Sequence, residues 1–366
     1  MIDSDRGDVL LVGSMPFDTS EEAMRAAAEH LGDHLPSIGD GEVGLRRIWI
    51  GYLPMTIYAK HPQLEVLRAP EGGAPKPPTD GKPEMYESAF LVGIREDEEL
   101  RFDTTTYGPI GVESYATFRA LRDQGVIPEG VRFSVTFPGT GSAISYFFRE
   151  SDWPAAHAAY HDAIARDIEL LLQTVPVDDL QIQFDLAQEF VDMAAGDGRG
   201  IADWPQVTLE EKVQRHAATL PQMAATVPDG VRLGFHWCYG TWGGWPMKDM
   251  ADMGLCVRMT QEALARIDRR VDYVHMPAVK HPDDAFFAPL SALDGEALNV
   301  YLGLIHHTDG VEGFRERMAL VGRHLPRFGI GAVCGYGRID PAALPHVLAV
   351  HRDCAAELRK EGALHG

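Results

Sequence analysis

The sequence predicts an α/β fold, a (β/α)8 TIM barrel with an insertion after the second strand. Eight short apolar runs along the 366 residues have the length of buried strands, and longer patterns with helical periodicity separate most of them. Strands that alternate with helices form a parallel sheet with right-handed crossovers, and eight such units favour a closed barrel. An open doubly wound sheet is the alternative, but no Gly-x-Gly-x-x-Gly motif follows the first strand.

Each predicted strand is a short apolar or alternating run that ends near a polar residue, a glycine or a proline. We expect one domain, residues 1–366, to form around these strands. They are residues 9–14, a short strand ending at 39–42, and residues 131–137, 180–185, 231–236, 271–275, 299–306 and 328–334.

Helix starts are marked by capping signals. Thr19-x-x-Glu22 and Thr208-x-x-Glu211 have the spacing of capping boxes, in which the two side chains satisfy backbone N–H groups of the first turn. The Asp-Pro pair at 340–341 is typical of a helix start as well, because proline is favoured in the first turn. These signals place helices directly after several of the predicted strands.

One stretch does not fit the repeating pattern. Residues 43–130 are too many for a single crossover, and we expect an insertion with its own short helices there. Within it, residues 69–78 are rich in proline and glycine, which predicts an exposed loop.

The charge balance restricts the partners. With 33 Lys+Arg against 54 Asp+Glu the net charge is −21, which argues against nucleic acid or an anionic membrane surface as a partner. No apolar stretch approaches the roughly 20 residues that span a bilayer. The N-terminus is acidic and polar, unlike a secretory signal, and four scattered cysteines do not make a disulfide scaffold. We expect a cytoplasmic protein that acts on small molecules.

Polar and metal-capable residues fall where the predicted strands end, which is where TIM barrels carry their active sites. His236 and Cys238 lie two residues apart on the same side of an extended chain, and imidazole with thiolate suits zinc. Cys334 ends a distant strand that a closed barrel would bring to the same mouth. His275 either completes the metal shell or supports it from behind. The alternative is that all of these residues pack in the core.

Further strand ends carry acid–base groups. His306 is followed by His307 and could exchange a proton near neutral pH. Glu42 and Asp185 are carboxylates in apolar surroundings, where burial is costly without a partner such as a bound ammonium, a nearby arginine at 46–47, or solvent. The aromatic loop 237–245 either lines a pocket or packs in the core.

Taken in order, these motifs resemble the catalytic half of cobalamin-independent methionine synthase. The resemblance covers most of the chain apart from residues 43–130. It is carried by Val12-Gly13-Ser14, Gly41-Glu42, Pro138-Gly139, Ile182-Gln183-Phe184-Asp185, His236-x-Cys238, Ile305-His306 and Cys334-Gly335.

The resemblance implies a zinc-dependent thiol methyltransferase on a barrel. The zinc ligands carry over to His236, Cys238 and Cys334, whereas the family's glutamate ligand has no match because His275 stands at that strand end. The amino-acid-binding and proton-handling positions carry over to Ser14, Glu42, Asp185 and His306. The family's duplicated N-terminal half has no counterpart in the sequence.

The leading functional hypothesis is therefore an enzyme that transfers a methyl or other alkyl group to or from a thiol, such as homocysteine, bound at zinc. A zinc-dependent hydrolase or lyase would use the same metal to activate water. Uroporphyrinogen decarboxylase has a similar barrel and needs no metal, so the His-x-Cys pair and the later cysteine argue against it. A metal- or corrinoid-binding protein without catalysis would need four protein ligands and no substrate pocket.

Overall fold

The computed structural model describes residues 8–69, 90–201, 203–241, 245–295 and 297–364, and it confirms the predicted (β/α)8 barrel. Eight parallel strands form the barrel, and two further strands form a small antiparallel sheet. In chain order the strands are β1 (Val9–Leu10), β2 (Ser37–Gly39), β3 (Leu64–Arg68), β4 (Leu91–Ile94), β5 (Arg132–Pro138), β6 (Leu180–Leu186), β7 (Arg232–Trp237), β8 (Tyr273–Pro277), β9 (Asn299–Ile305) and β10 (Gly329–Ala332).

The barrel strands follow one another around the ring in chain order, from β2 through β5 to β10 and then to β1. Each neighbouring pair is parallel and joined by a hydrogen-bonded ladder, except β1 and β2. Beyond the ends of these two strands the backbone N–H of Met15 donates to the carbonyl of Gly41 at 2.8 Å. The barrel is thus nearly closed, with one seam that has no ladder.

The helices lie outside the strands, as the alternating pattern predicts. They are α1 (Ser20–Leu31), α2 (Leu53–Thr56), α3 (Tyr107–Asp123), α4 (Trp153–Leu172), α5 (Gln188–Ala194), α6 (Leu209–Ala217), α7 (Leu220–Ala225), α8 (Gly254–Arg266), α9 (Asp284–Phe287), α10 (Gly310–Val321) and α11 (Leu344–Leu364). Both capping boxes are formed, by Thr19 with Glu22 at α1 and by Thr208 with Glu211 at α6. Both helix starts predicted from capping boxes are therefore confirmed, whereas the Asp-Pro pair at 340–341 opens a 3-10 helix, Pro341–Ala343, that leads into α11.

The inserted segment differs from the expectation in two ways. It contains the antiparallel pair β3–β4, whereas only short helices were predicted there. Its last part, α3, packs against α1, α4 and β5 and so belongs to the ring of barrel helices. Of the proline- and glycine-rich loop at 69–78, residues 70–78 lie outside the described residues.

A chain of polar side chains runs up the barrel interior. Gln181 Nε2 donates to Ser37 Oγ at 2.7 Å and to the Tyr273 hydroxyl at 3.0 Å. That hydroxyl donates to Gln183 Oε1 at 2.8 Å, and Gln183 Nε2 donates to Asp185 Oδ1, also at 2.8 Å. Buried polar groups are tolerated only when they are paired, so this network orients Asp185 from below.

The ring of Tyr273 requires a glycine on the neighbouring strand. A Cβ built on Gly234 would lie 2.0 Å from the ring, well inside van der Waals contact. The glycine in β7 thus makes room for the tyrosine that links the two glutamines.

No helix in the described part of the chain is both long and apolar enough to cross a membrane.

A buried histidine on α11 predicts acid sensitivity of the fold. Burial, with a smaller effect of His307, lowers the pKa of His351 from 6.5 to about 4. Below pH 6.5 the unfolded chain binds this proton and the folded chain does not, so the stabilisation present above pH 6.5 is lost as the pH falls toward 4. We expect the free energy of unfolding to fall by about 2 kcal/mol between pH 7.5 and 5 because of this residue.

The measurement is urea unfolding at both pH values for the unsubstituted protein, His351→Gln and His346→Gln. His346 is an exposed histidine on the same helix and serves as the control. The pH dependence should become shallower in His351→Gln alone. An identical slope in all three proteins would contradict the prediction.

Candidate metal and substrate site

Strand register places three polar residues side by side in the barrel. Asp185 of β6 pairs in register with His236 of β7, which pairs in register with His275 of β8. All three side chains are buried among the apolar residues of the strands. Residues paired in register on neighbouring parallel strands lie at the same height in the barrel. The three side chains therefore form one polar layer near the carboxyl ends of the strands.

A sulfur–imidazole cluster lies at this level. Ligand atoms of His236, Cys238 and Cys334 are all within 4.8 Å of one another. The two sulfurs are 3.6 Å apart, close to the roughly 3.8 Å separation of two thiolates that each bind a tetrahedral zinc at about 2.3 Å. Nε2 of His236 is buried and has no hydrogen-bond partner in the described part of the chain. These residues therefore fit a zinc ion.

His275 supports this cluster from the side. Its Nδ1 lies 2.7 Å from Nδ1 of His236, so one ring orients the other. Its Nε2 faces β10, where a Cβ built on Gly331 would lie 3.1 Å away. Of the two roles considered for His275, this geometry favours orientation of His236 over metal binding.

The two thiols of the cluster differ in acidity. Cys238 Sγ donates to Cys334 Sγ, and this hydrogen bond, followed by the effect of His236, holds the pKa of Cys334 well below its usual value. The same interaction and burial raise the pKa of Cys238. The two sulfurs therefore differ in acidity, and Cys334 is the more acidic of the pair.

Glu42 and Asp185 share the mouth of the barrel with the cluster. Burial raises the pKa of Asp185 to about 6, and the positive charge of His236 opposes the shift. Burial and the nearby charge of Asp185 raise the pKa of Glu42 well above its usual range. Oε1 of Glu42 is buried without a hydrogen-bond partner among the described residues. Two such carboxylates can both ionise only if a cation lies beside them.

The arginine next to Glu42 does not supply that cation directly. Arg46 binds Asp40 with two hydrogen bonds, of 2.7 and 3.1 Å. Its positive charge still lowers the pKa of Glu42, against the larger effect of burial. Asp40 also accepts from Ser114 Oγ and from the backbone N–H of Glu42. The φ of Glu42 is 45°, in the left-handed region that residues other than glycine rarely adopt. Such strain at a buried, unpaired acid is typical of a ligand-binding position.

Ser14 lies against the glycine-rich turn that follows Cys334. The backbone N–H of Tyr336 donates to the Ser14 carbonyl at 2.6 Å. A Cβ on Gly335 would lie 2.6 Å from the backbone nitrogen of Ser14, and one on Gly337 would lie 2.3 Å from its hydroxyl. The turn can approach the serine this closely only because both residues are glycines.

His306 lies at the edge of the site. Its Nε2 donates to the carbonyl of Ala278 at 3.0 Å, and its ring contacts the edge of Trp245. Burial, aided by the charge of Arg317, lowers the pKa of His306 to about 4. At neutral pH the ring is therefore uncharged and keeps a lone pair on Nδ1, which can accept a hydrogen bond, although the low pKa makes the ring a weak base.

Some aromatic residues of the loop at 237–245 pack in the core, and one lies at the mouth of the barrel. Trp237 stacks on Phe190 and Phe235, and Tyr239 is buried beside Phe190. Trp245 instead lies next to His306. Residues 242–244 lie outside the described residues.

Three supporting residues were not predicted from the sequence. Gln183 holds Asp185 from below, and alternation along β6 already places these two side chains on one face. Glu189 accepts from the N–H and hydroxyl of Ser142 at 3.0 and 2.6 Å. Buried Arg317 donates to the carbonyls of Leu304 and Lys280 and pairs with Asp309, tying together the chain after β8 and β9. Nothing in the local sequence marks Glu189 or Arg317, because their partners are distant in the chain.

No protein-family model matches the chain, and no curated protein matches it in sequence. Solved structures do match in fold, and two of them cover most of this chain. A candidate vitamin-B12 independent methionine synthase from Listeria monocytogenes is 14% identical, with 91% of this chain and 86% of that chain covered and a TM-score of 0.52. A B12-independent methionine synthase from Shewanella sp. W3-18-1, in complex with selenomethionine, is 13% identical, with 97% and 98% covered and a TM-score of 0.59. The chain thus shares the fold of B12-independent methionine synthase structures, in agreement with the resemblance read from its motifs.

Proposed function

We propose that this protein is a zinc-dependent enzyme that transfers a methyl or other alkyl group to or from the sulfur of a small thiol such as homocysteine. The observation that carries the proposal is the group of buried His236 and Cys238 with partly exposed Cys334, which brings one imidazole and two sulfurs within 4.8 Å of one another at the barrel mouth. The fold is shared with a methionine synthase that binds selenomethionine, an amino acid with a similar side chain to alkylated homocysteine.

Neighbouring residues orient the three metal-binding side chains and adjust the acidity of the thiols. Bound zinc would lower the pKa of a ligating thiol, so that a nucleophilic thiolate exists at neutral pH. The hydrogen bond from Cys238 to Cys334 makes the Cys334 thiol the more acidic of the two, and His275 fixes the ring of His236 through its Nδ1. Three protein ligands leave a position for a substrate thiol, which is the arrangement of catalytic zinc sites.

Two carboxylates favour a substrate that carries a positive charge. Glu42 and Asp185 are close enough that the charge of Asp185 raises the pKa of Glu42. An ammonium group between them would let both ionise, so the pair favours a substrate with an α-amino group. Uncharged His306, at the edge of the site, would accept a hydrogen bond from the bound substrate through Nδ1.

The first prediction from this proposed function concerns metal content. We expect purified protein to hold close to one zinc per chain, and Cys238→Ser or Cys334→Ser to lose most of it, because a hydroxyl is a poor substitute for a thiolate. His275→Ala should keep the metal with affinity reduced by about 10- to 100-fold, since it acts through His236. Elemental analysis and competition with a chelator measure both quantities.

The control for metal content is Cys354→Ser, which changes a buried cysteine on α11 and should leave zinc unchanged. Full occupancy in both Cys238→Ser and Cys334→Ser would remove these residues from the metal site. Ester or amide hydrolysis by the zinc-loaded protein, with no alkylation of any thiol, would favour the hydrolase alternative.

The second prediction concerns the ammonium group. Asp185→Asn keeps the shape of the side chain and its bond to Gln183 but removes the charge, so homocysteine should bind about tenfold or more weakly. γ-Mercaptobutyrate, which is homocysteine without its amino group, should bind equally to both proteins. Calorimetry measures the four affinities. Unchanged homocysteine affinity would show that the carboxylates do not recognise an amino group.

The third prediction concerns the donor. The net charge of −21 repels a folate that carries several carboxylates, so we expect methyltetrahydropteroyl-triglutamate to be slower by about tenfold or more than a methyl-corrinoid or a methylated small molecule. Methionine formed from homocysteine by zinc-loaded protein is the measurement, with the monoglutamyl folate as the control for charge. Rapid turnover with the triglutamyl folate would instead indicate an ordinary methionine synthase.

A further inference from the structure

Two consecutive arginines after β2 have opposite environments. Arg46 is committed to Asp40 through two hydrogen bonds. Arg47 is half-buried, donates from Nε to the carbonyl of Gly337 at 2.8 Å, and forms no ion pair with the described residues. The terminal nitrogens of its guanidinium are therefore available to a ligand.

A second arginine lies on the other side of the same glycine. Arg338 follows Gly337 in the chain and is only partly exposed, yet it has neither an ion pair nor a hydrogen bond within the described part of the protein. The residue before it, Gly337, packs against the Ser14 hydroxyl and the carbonyl of Arg47. Arg338 therefore extends from the same turn, at the end of the barrel where Ser14 lies.

Ser14 lies between these arginines and the buried carboxylates. A Cβ on Gly337 would be 2.3 Å from the Ser14 hydroxyl and 2.8 Å from the carbonyl of Arg47. On the other side, a Cβ on Gly13 would be 4.0 Å from Oε2 of Glu42. A carboxylate and unpaired guanidiniums therefore flank one short stretch of chain, a charge pattern complementary to an amino-acid zwitterion.

The segment that carries Arg47 shows a further mark of ligand contact. Trp49 has a φ of 51°, in the left-handed region. Its buried indole N–H has no acceptor among the described residues. A strained backbone and an unpaired buried donor are both costly, and they recur where a ligand supplies the missing contact.

We infer that Arg47 and Arg338 form a carboxylate-binding subsite, which takes the α-carboxylate of the amino-acid thiol while Glu42 and Asp185 take its amino group. The planar fork of a guanidinium matches a carboxylate with two parallel hydrogen bonds. The identity of the ligand as a thiol rests on the proposed function, but recognition of its charged end does not depend on the metal.

The test uses a ligand without sulfur. L-norleucine carries the zwitterionic end and an unreactive side chain, and pentylamine is the same molecule without the carboxylate. We expect Arg338→Gln and Arg47→Gln each to weaken L-norleucine binding by more than about tenfold and to leave pentylamine binding unchanged. Isothermal calorimetry gives the affinities. Arg323→Gln, which alters an exposed arginine paired with Asp284, is the control and should change neither.

Three outcomes would overturn the inference. They are no binding of L-norleucine by the unsubstituted protein, equal affinity in all variants, or equal loss of both ligands. If the arginine variants instead raise only the KM of a carboxylate-bearing methyl donor, the subsite serves the donor and the assignment to the α-carboxylate is wrong. Protein that holds no zinc yet discriminates L-norleucine through Arg338 would reject the proposed function and keep the subsite.

Discussion

The candidate site depends on the closure of a parallel barrel in register. Register alone sets Asp185, His236 and His275 side by side on β6, β7 and β8. Closure then brings the end of β10 across the mouth, so that Cys334 meets Cys238 although 96 residues separate them. If any of these strands slipped by one residue, its side chain would move to the helix-facing side of the barrel. The sulfur–imidazole cluster is thus a consequence of ladder geometry more than of local sequence.

The site is costly by itself and is held by neighbours that bind no ligand. Glu42 and Asp185 are both buried, and Glu42 adopts a strained φ of 45°. Asp40, tied to Arg46 and Ser114, anchors the loop that carries Glu42. The glutamine–tyrosine network inside the barrel supports Asp185 in the same way. The stabilising hydrogen bonds are therefore made by residues around Glu42 and Asp185, the two carboxylates assigned to substrate binding.

The spacing of apolar residues and the helix-capping residues were sufficient to predict the barrel fold and part of the candidate site. Alternating apolar runs predicted eight strands, and the capping residues at Thr19 and Thr208 predicted two helix starts. The first strand proved shorter than predicted, two residues in place of six, because the chain after Leu10 leaves the ladder. Strand-end position identified His236, Cys238 and Cys334 as candidates, which the structure brings together.

What the sequence could not predict are the pairings. A pattern of apolar positions shows which face of a strand or helix a residue occupies, but it does not show the partner across the barrel. Arg46 and Arg47 are equivalent in the sequence, yet one is neutralised by Asp40 and the other is not. The clamp formed by Arg317 likewise joins carbonyl groups from two strand ends and could be recognised only in three dimensions.

The barrel is held together by fewer backbone hydrogen bonds at the seam between β1 and β2 than between its other strands. Separating β7 from β6 would break a six-residue ladder, whereas the one backbone hydrogen bond that the described residues form between the chain after β2 and the chain after β1 is Met15–Gly41. We therefore expect the barrel to open most easily beside Glu42, Arg46 and Arg47. On the proposed assignment, the sulfur and imidazole donors lie on or just after strands held by full ladders, whereas Glu42 and Arg47 lie beside the seam.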